Sequence, residues 1–477
     1  MNQYDVAIIG SGAAGSVMAF ELARRGLKVV ILEKGARQDP ETFIHNEFDM
    51  VPRLYKNGGL QTTSDNAITI VQGSTVGGST VINNAIWLRP DLDVILPRWQ
   101  LRGATIDRPA LERAYSDLEE KLLVSPLPQR AENVGTQLFL DACAKMMGVN
   151  ARRLSNNRQD CLGCGWCNFG CRYNRKTSML VTFIPWAESK GAIVHDRCQD
   201  VRLDHIGDKV KSVSFQREDR EQTITADRFV VCAGAIGSSE VLLRSDITQG
   251  GRVGRGLHLL LGIVVNGEMP TEINGYDGIG LTCIAEAGPQ QVIETFFAPP
   301  GAFAITLGGW FETHFERMQN YNRYLQVGVM VGTEPHGQVS IGLDGQTKID
   351  LSLSSDEFNS LKHGVKIVAK ILFQAGARIV VPGTFPSLEF QSANDLSRLD
   401  DVVKEPADLL LGSAHPQGGN PMSQDPALGV VNNEFRVHGL TNLFVADASV
   451  FPTNIWANCQ ATVMAMAHYA SGFVAKP

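Results

Sequence analysis

DVAIIGSGAAGSVMAFELARRGLKVVILEKG, residues Asp5 to Gly35, reads as one strand-turn-helix-strand unit. The apolar run Val6 to Ile9 suits a buried parallel strand, and it breaks into G-x-G-x-x-G at Gly10, Gly12 and Gly15. In that pattern the first glycine permits the tight turn, the second lets backbone approach a pyrophosphate, and the third packs helix on strand. The helix N-terminus faces the phosphates, with Ser11 and Ala14 in the same cradle. Ala19, Leu22 and Ala23 keep helical spacing on one face, Gly26 ends the helix, and LKVVILE forms a second strand finishing at Glu33, placed to hold a ribose hydroxyl pair. A glycine run alone could be a turn in some other α/β protein; strand, helix and acid together select dinucleotide binding. The unit does not by itself distinguish NAD from FAD.

A chain of 477 residues has room for two or three domains and a buried cofactor. Its 47 glycines are not periodic and suit tight turns and close backbone approaches to a ligand. A net charge of -7 offers no basic surplus to release counterions from phosphates, so no nucleic-acid partner is expected. The first apolar stretch lacks a basic start and is not read as a leader, and Leu257 to Val265 falls far short of the roughly 20 residues that cross a bilayer. The expectation is a chain without a transmembrane segment, in the cytoplasm unless a partner exports it. Oligomeric state is not legible.

Farther along, Ala36 to Thr69 is polar and irregular and reads as a surface excursion. In GSTVGGSTVINNAIWLRP, Gly73 to Pro90, Gly77 and Gly78 would let backbone lie close to a flat ligand while Ser79, Asn83 and Asn84 offer hydrogen bonds. Asp107 to Leu123 has helical spacing; VRLDHI, VKSVSF and TITADRFVVCAGA alternate as strands, the last running into Ala233. Residues 263 to 404 read as an antiparallel second domain, with a hairpin turn at Asp344-Gly345 and a helix opened by a Ser354/Glu357 capping box and closed at Gly376. Leu443 to Val445 followed by a helix from Ala461 to Tyr469 is expected to return to the first sheet. The predicted fold class is α/β: a Rossmann-like domain from 1-95, 190-262 and 405-477, a helical and cysteine-rich insertion at 96-189, and an α+β substrate domain at 263-404.

Five stretches, in order, resemble signatures of the glucose-methanol-choline (GMC) oxidoreductase family: the N-terminal unit, GGSTVINNAIWLRP, CAGAIGSSEVLLRS at Cys232 to Ser245, VGRGLH at Val253 to His258, and RVHGLTNLFVADASVFPTNIWAN at Arg436 to Asn458. The resemblance implies noncovalently held FAD. It places Gly78, Ser79, Asn83, Asn84 and Asn458 about the flavin, Val201 at the adenine, Asp447 and Ala448 at the ribityl and pyrophosphate region, and Glu33 at the adenosine ribose. It also assigns His415, in an H-x-x-G segment, and Asn458, on the loop after Pro452-Thr453, to catalysis, and treats His438 as structural. The run Pro416 to Asn420 departs from the family's commoner sequence and leaves the pocket's shape open.

For an alcohol substrate, neutral imidazole suits removal of the hydroxyl proton as hydride leaves carbon for flavin N5. Asn458 can position the developing alkoxide without competing as a base.

CLGCGWCNFGC spaces Cys161, Cys164, Cys167 and Cys171 as C-x2-C-x2-C-x3-C, the spacing of bacterial ferredoxin clusters, although no proline follows the fourth. A four-iron or three-iron cluster is the favoured expectation, with structural zinc and free or paired thiols as alternatives. A cluster would make the enzyme a dehydrogenase passing electrons to a protein or quinone. The rivals are an oxidase with structural cysteines, a redox-inactive FAD lyase, and a noncatalytic electron-transfer flavoprotein.

Overall fold

The computed structural model describes residues 3–476 apart from Ala287 and Pro289. Tyr4–Ile9 forms the middle of the first sheet, hydrogen-bonded in parallel to Val29–Leu32 on one side and to Arg220–Val231 on the other. Ile193–His195 extends it beyond Val29–Leu32, and Leu443–Val445 runs parallel to the end of Arg220–Val231, so the chain's last stretch does return to the sheet it began. Arg220–Val231 is long because its first half also pairs antiparallel with Lys209–Arg217, which pairs in turn with Gln199–Ile206. Val6, Ile8, Val30, Ile31, Val230 and Val231 are fully buried or nearly so, as expected for a sheet covered on both faces.

The first helix, Ala13–Ala23, packs on this sheet at a distance no other residue type allows. A Cβ on Gly15 would lie 1.9 Å from the Gly10 carbonyl oxygen, and one on Gly10, whose φ is +101°, would lie 2.4 Å from the Cys232 carbonyl oxygen. The helix ends as its sequence predicts, at Gly26 with φ +84°. The C-terminal helix, Gln460–Val474, is buried on most of its surface and packs against the first helix.

The second sheet has eleven strands among the described residues, organised around Arg255–Glu268. That strand pairs antiparallel with Tyr324–Gly332, followed outward by Gln291–Phe296, Cys283–Glu286 and Asn150–Arg153. The predicted hairpin joins Gly337–Ile341 to Thr347–Asp350. Helix Ser355–Gln374 opens with the Ser354/Glu357 capping box and buries Leu361, Val365, Val368 and Leu372 against Ile263, Val265, Val327 and Val329 of one sheet face. Period-two alternation turns Gly262, Val264, Glu294, Phe296, Gly328 and Met330 to the opposite face, where they line a cavity.

Ala36 to Thr69 is more than the surface excursion its composition suggests. Asn46 caps helix Glu47–Leu54, which buries Met50 and Leu54 four residues apart. The Glu47 carboxylate accepts from the Gly301 and Ala302 amides at 2.6 and 2.7 Å, joining this segment to the first turn of helix Pro300–Thr306. No helix among the described residues is long and apolar enough to cross a membrane.

The Gly10–Gly15 contact supplies a direct test. Gly15→Val should destabilise the chain by about 3 kcal/mol through overpacking against backbone that cannot yield, read as a fall in the thermal unfolding midpoint. Gly26→Asn, which keeps a residue tolerant of positive φ, should cost far less.

Candidate active site

One cavity of about 1140 Å³ lies between the two sheets. At one end, Ala13–Ala23 begins without a side-chain cap, leaving its first amides available to a ligand. A Cβ on Gly12 would meet nothing closer than Gly78 Cα at 4.0 Å, so the cradle is open above this position. Gly10, Gly12, Ala14, Glu33, Gly78, Ser79, Asn83, Asn84, Val201, Ala233, Asp447, Ala448, His415 and Asn458 all line this cavity. Ser11 and Gly15 lie behind the wall. Ser11 holds Glu33 by its amide at 2.9 Å and its hydroxyl at 2.7 Å, and its hydroxyl also accepts from the Gly77 amide at 3.1 Å.

Two carboxyls are fixed here by three donors each. Glu33 receives the Ser11 bonds and the Gly35 amide at 2.7 Å; Asp447 receives the Gly234 amide at 2.8 Å, the Ser238 hydroxyl and the Ser449 amide at 2.8 Å. Burial raises both above the usual carboxylate range while these bonds pull the other way. Each carboxylate has lone pairs left over, so Glu33 is able to accept a ribose hydroxyl as well. An uncapped helix start, an open glycine cradle and this acid fit a dinucleotide such as FAD.

At the far end, His415 is half-buried on the loop after strand Leu411–Ser413, its amide bonded to Ser413 Oγ at 3.2 Å. Its Nε2 is 3.3 Å from Asn458 Nδ2, and its Nδ1 has no partner. Burial alone pushes the imidazole down to about 4, so it is neutral at ordinary pH. Asn458 Oδ1 also has no partner. The imidazole and the amide both line the cavity and meet each other there through Nε2 and Nδ2.

The floor beneath them is stripped of side chains. Gly262 pairs across the sheet with Gly412, and Gly328 faces Glu294 in register. A Cβ on Gly328 would have no neighbour closer than 3.9 Å, so the glycine leaves room. Most of the remaining wall is apolar, including Val264, Leu281, Phe296, Met330 and Leu411. The mouth carries Phe48, Leu60 and Ile305, exposed by 86%, 81% and 77%. Phe48 and Leu60 belong to the segment read as a surface excursion, and Glu294 stands as a lone acid in the strand QVIETF, the one signal in the sequence that could have marked it.

The cysteine loop lies against this cavity. Gly163, Gly165 and Gly170, all at positive φ, wind it so that Cys161, Cys164, Cys167 and Cys171 surround a separate space of about 20 Å³. The expected ligand set is not assembled: among the described residues no three His, Cys, Asp or Glu side chains converge as a metal site. Two of the four sulfurs accept hydrogen bonds, Cys167 Sγ from Arg158 Nη2 at 3.4 Å and Cys171 Sγ from the Lys176 amide at 3.5 Å. Burial opposes ionisation of Cys167, but Arg158 and Lys176 outweigh it and hold this thiol below its ordinary value. Lys176, fully buried, donates to the carbonyls of Val81 at 2.7 Å, Asn83 at 2.8 Å and Cys167 at 2.7 Å, and burial pushes its ammonium down to about 8. It thereby ties the cysteine loop to the segment carrying Asn83 and Asn84. Asn83 Nδ2 is itself bonded to Gln460, and Asn84 Nδ2 to Asn168 Oδ1 at 3.3 Å.

Known proteins resemble this chain in sequence and in fold. The family model described as GMC oxidoreductase matches residues 51–261 with its N-terminal part and 333–467 with its C-terminal part, and one described as FAD dependent oxidoreductase matches residues 5–43. An uncharacterized GMC-type oxidoreductase of Mycobacterium tuberculosis is 29% identical over 97% of this chain and 74% of its own. A long-chain-alcohol oxidase of Arabidopsis thaliana is 27% identical over 98% of this chain and 68% of its own. Among solved structures, pyridoxine 4-oxidase from Mesorbium loti superposes with a TM-score of 0.75 at 18% identity, covering 98% of this chain and 99% of that one, which shows a common fold.

Lys176→Met tests the attachment of the cysteine loop. Removing the ammonium leaves three buried carbonyls without their donor, at about 3 kcal/mol or more in total. The expected result is a lower unfolding midpoint together with weaker flavin retention on gel filtration.

Proposed function

The chain belongs to the GMC oxidoreductase family, FAD-dependent oxidoreductases acting on CH–OH groups, and from that premise we propose that it oxidises an apolar alcohol, with His415 as the base and Asn458 as the group that orients the hydroxyl. The observation that carries this is the meeting of His415 Nε2 and Asn458 Nδ2 on the wall of an apolar cavity whose other end is the dinucleotide cradle. Bound FAD would supply the hydride acceptor, held by Gly10, Gly12, Ala14, Glu33, Asn83, Asn84, Asp447 and Ala448.

His415 is neutral and can accept the hydroxyl proton at Nε2 once the hydroxyl replaces the long Asn458 contact. Asn458 is then free to donate to the developing alkoxide oxygen. Loss of that proton and of a hydride from the same C–O unit turns the alcohol into an aldehyde or ketone. The apolar wall keeps water from the reacting centre and matches an aliphatic chain entering past Phe48, Leu60 and Ile305. The relative from Arabidopsis thaliana named as a long-chain-alcohol oxidase supports this substrate class.

The electron acceptor divides two versions of the proposal. In the first, oxygen takes the two electrons and the cysteines are structural. In the second, a protein or quinone takes them through an iron-sulfur cluster, favoured by the C-x2-C-x2-C-x3-C spacing and by Arg158 and Lys176 beside Cys167. The second version needs the sulfurs to converge beyond their present positions. Peroxide yield per turnover, with iron and acid-labile sulfide analysis, separates the two.

His415→Ala should keep bound flavin and lose about 10²- to 10⁴-fold in kcat. For a series of straight-chain primary alcohols, kcat/KM should rise by up to roughly fourfold per methylene, the value of about 0.8 kcal/mol of apolar burial, until the cavity is filled. A flat series, or a preference for polyols, would overturn the substrate class.

A further inference from the structure

Glu294 projects from the middle of strand Gln291–Phe296 on the face that forms the cavity wall, opposite Gly328. It is 6% exposed, and its Oε1 has no hydrogen-bond partner. This treatment differs from that of the other two cavity carboxyls. Glu33 and Asp447 each receive three donors, whereas Glu294 has only the side chain of Asn458 acting in favour of its charge. An ionisable group kept in an apolar wall with so little support is unfavourable for folding and points to work in the site.

Asn458 stands between Glu294 and His415, and its amide nitrogen is the atom that meets His415 Nε2. We propose that Glu294 is a third member of the site, a positioning residue whose carboxylate orients Asn458 and offsets the positive charge that His415 acquires when it takes the substrate proton. The inference rests on His415 being the base.

The need for such a partner follows from the burial of His415. At about 4, the imidazole has a proton affinity some three-hundredfold below that of an ordinary histidine at 6.5. A carboxylate within reach of the same amide raises that affinity without a permanent cation in the pocket. Burial pushes Glu294 itself up to about 7, with Asn458 opposing, so the counter-charge appears as pH rises through neutrality. Asn458 is the link between the two groups, since its side chain favours the charge on Glu294 and its amide nitrogen meets His415 Nε2.

The surroundings leave few competitors. Among the described residues, no ionisable side chain of the neighbouring strands Cys283–Glu286, Tyr324–Gly332 or Arg255–Glu268 lines the cavity. The loop from Ala407 to Pro416 contributes His415 alone, and the nearby Cys459 thiol is pushed up to about 12 by burial and stays neutral. Helix Ser355–Gln374 packs on the other face of the sheet. Glu47, at the mouth, is occupied by the Gly301 and Ala302 amides.

Glu294→Gln keeps the shape and removes the charge. In the flavin-loaded wild type, kcat/KM should climb with pH through about 7, and in E294Q that limb should vanish, with activity at pH 8 down at least about tenfold. Infrared difference spectra of the flavin-loaded protein should show a buried carboxyl titrating near the same pH in wild type and missing in E294Q. Glu294→Asp, which retains a charge, should keep a pH limb; this variant and the wild-type infrared titration serve if E294Q folds poorly. An unchanged pH profile in E294Q, or no carboxyl titration lost with Glu294, overturns the proposal. Full turnover in His415→Ala would instead overturn the assignment of the base, and the carboxyl titration is read independently of it.

Discussion

The Gly10 carbonyl occupies the place where a side chain on Gly15 would begin, and the Cys232 carbonyl does the same for Gly10. This contact seats the first helix directly on the first sheet and points the helix's uncapped start along the crevice at the strand ends. Everything else in the cavity is placed relative to it. Gly78 lies against Gly12, and the segment that follows supplies Asn83 and Asn84; Asp447 closes from the C-terminal strand through Gly234 and Ser238.

The second sheet answers the first with a surface of opposite character. Where the cradle is built of polar backbone and tied carboxylates, the sheet offers Gly262, Gly328 and Gly412 amid apolar side chains, with Glu294 as its one ionisable group on the cavity wall among the described residues. The division suits a cofactor held by hydrogen bonds and charge at one end and a substrate held by apolar contact at the other. His415 and Asn458 stand where the two meet, on loops whose ends are anchored by strands of different sheets.

The cradle was legible because its physics is local. Three glycines, an apolar strand and Glu33 act within 30 residues, and the hairpin at Asp344-Gly345 and the Ser354/Glu357 capping box are equally short-range. His415 and Asn458, 43 residues apart in sequence, came instead from family resemblance; no periodicity would have brought them together. The glycine floor and Glu294 were missed because their meaning depends on register between strands that are distant in the chain. The segment from Ala36 to Thr69 was underread for a related reason: two buried residues, Met50 and Leu54, are too few to stand out in a polar stretch. The cysteine spacing was legible, but spacing alone could not reveal that Arg158 and the Lys176 amide engage two of the sulfurs.

The central claim is that this cavity removes a hydride and a proton from an alcohol carbon and its hydroxyl. Its most direct measurement is anaerobic mixing of the flavin-loaded protein with a long-chain primary alcohol, with and without deuterium at the carbinol carbon, followed by flavin absorbance. The account predicts rapid loss of the oxidised-flavin band, slowed severalfold by deuterium. A flavin that stays oxidised with every alcohol offered would contradict it.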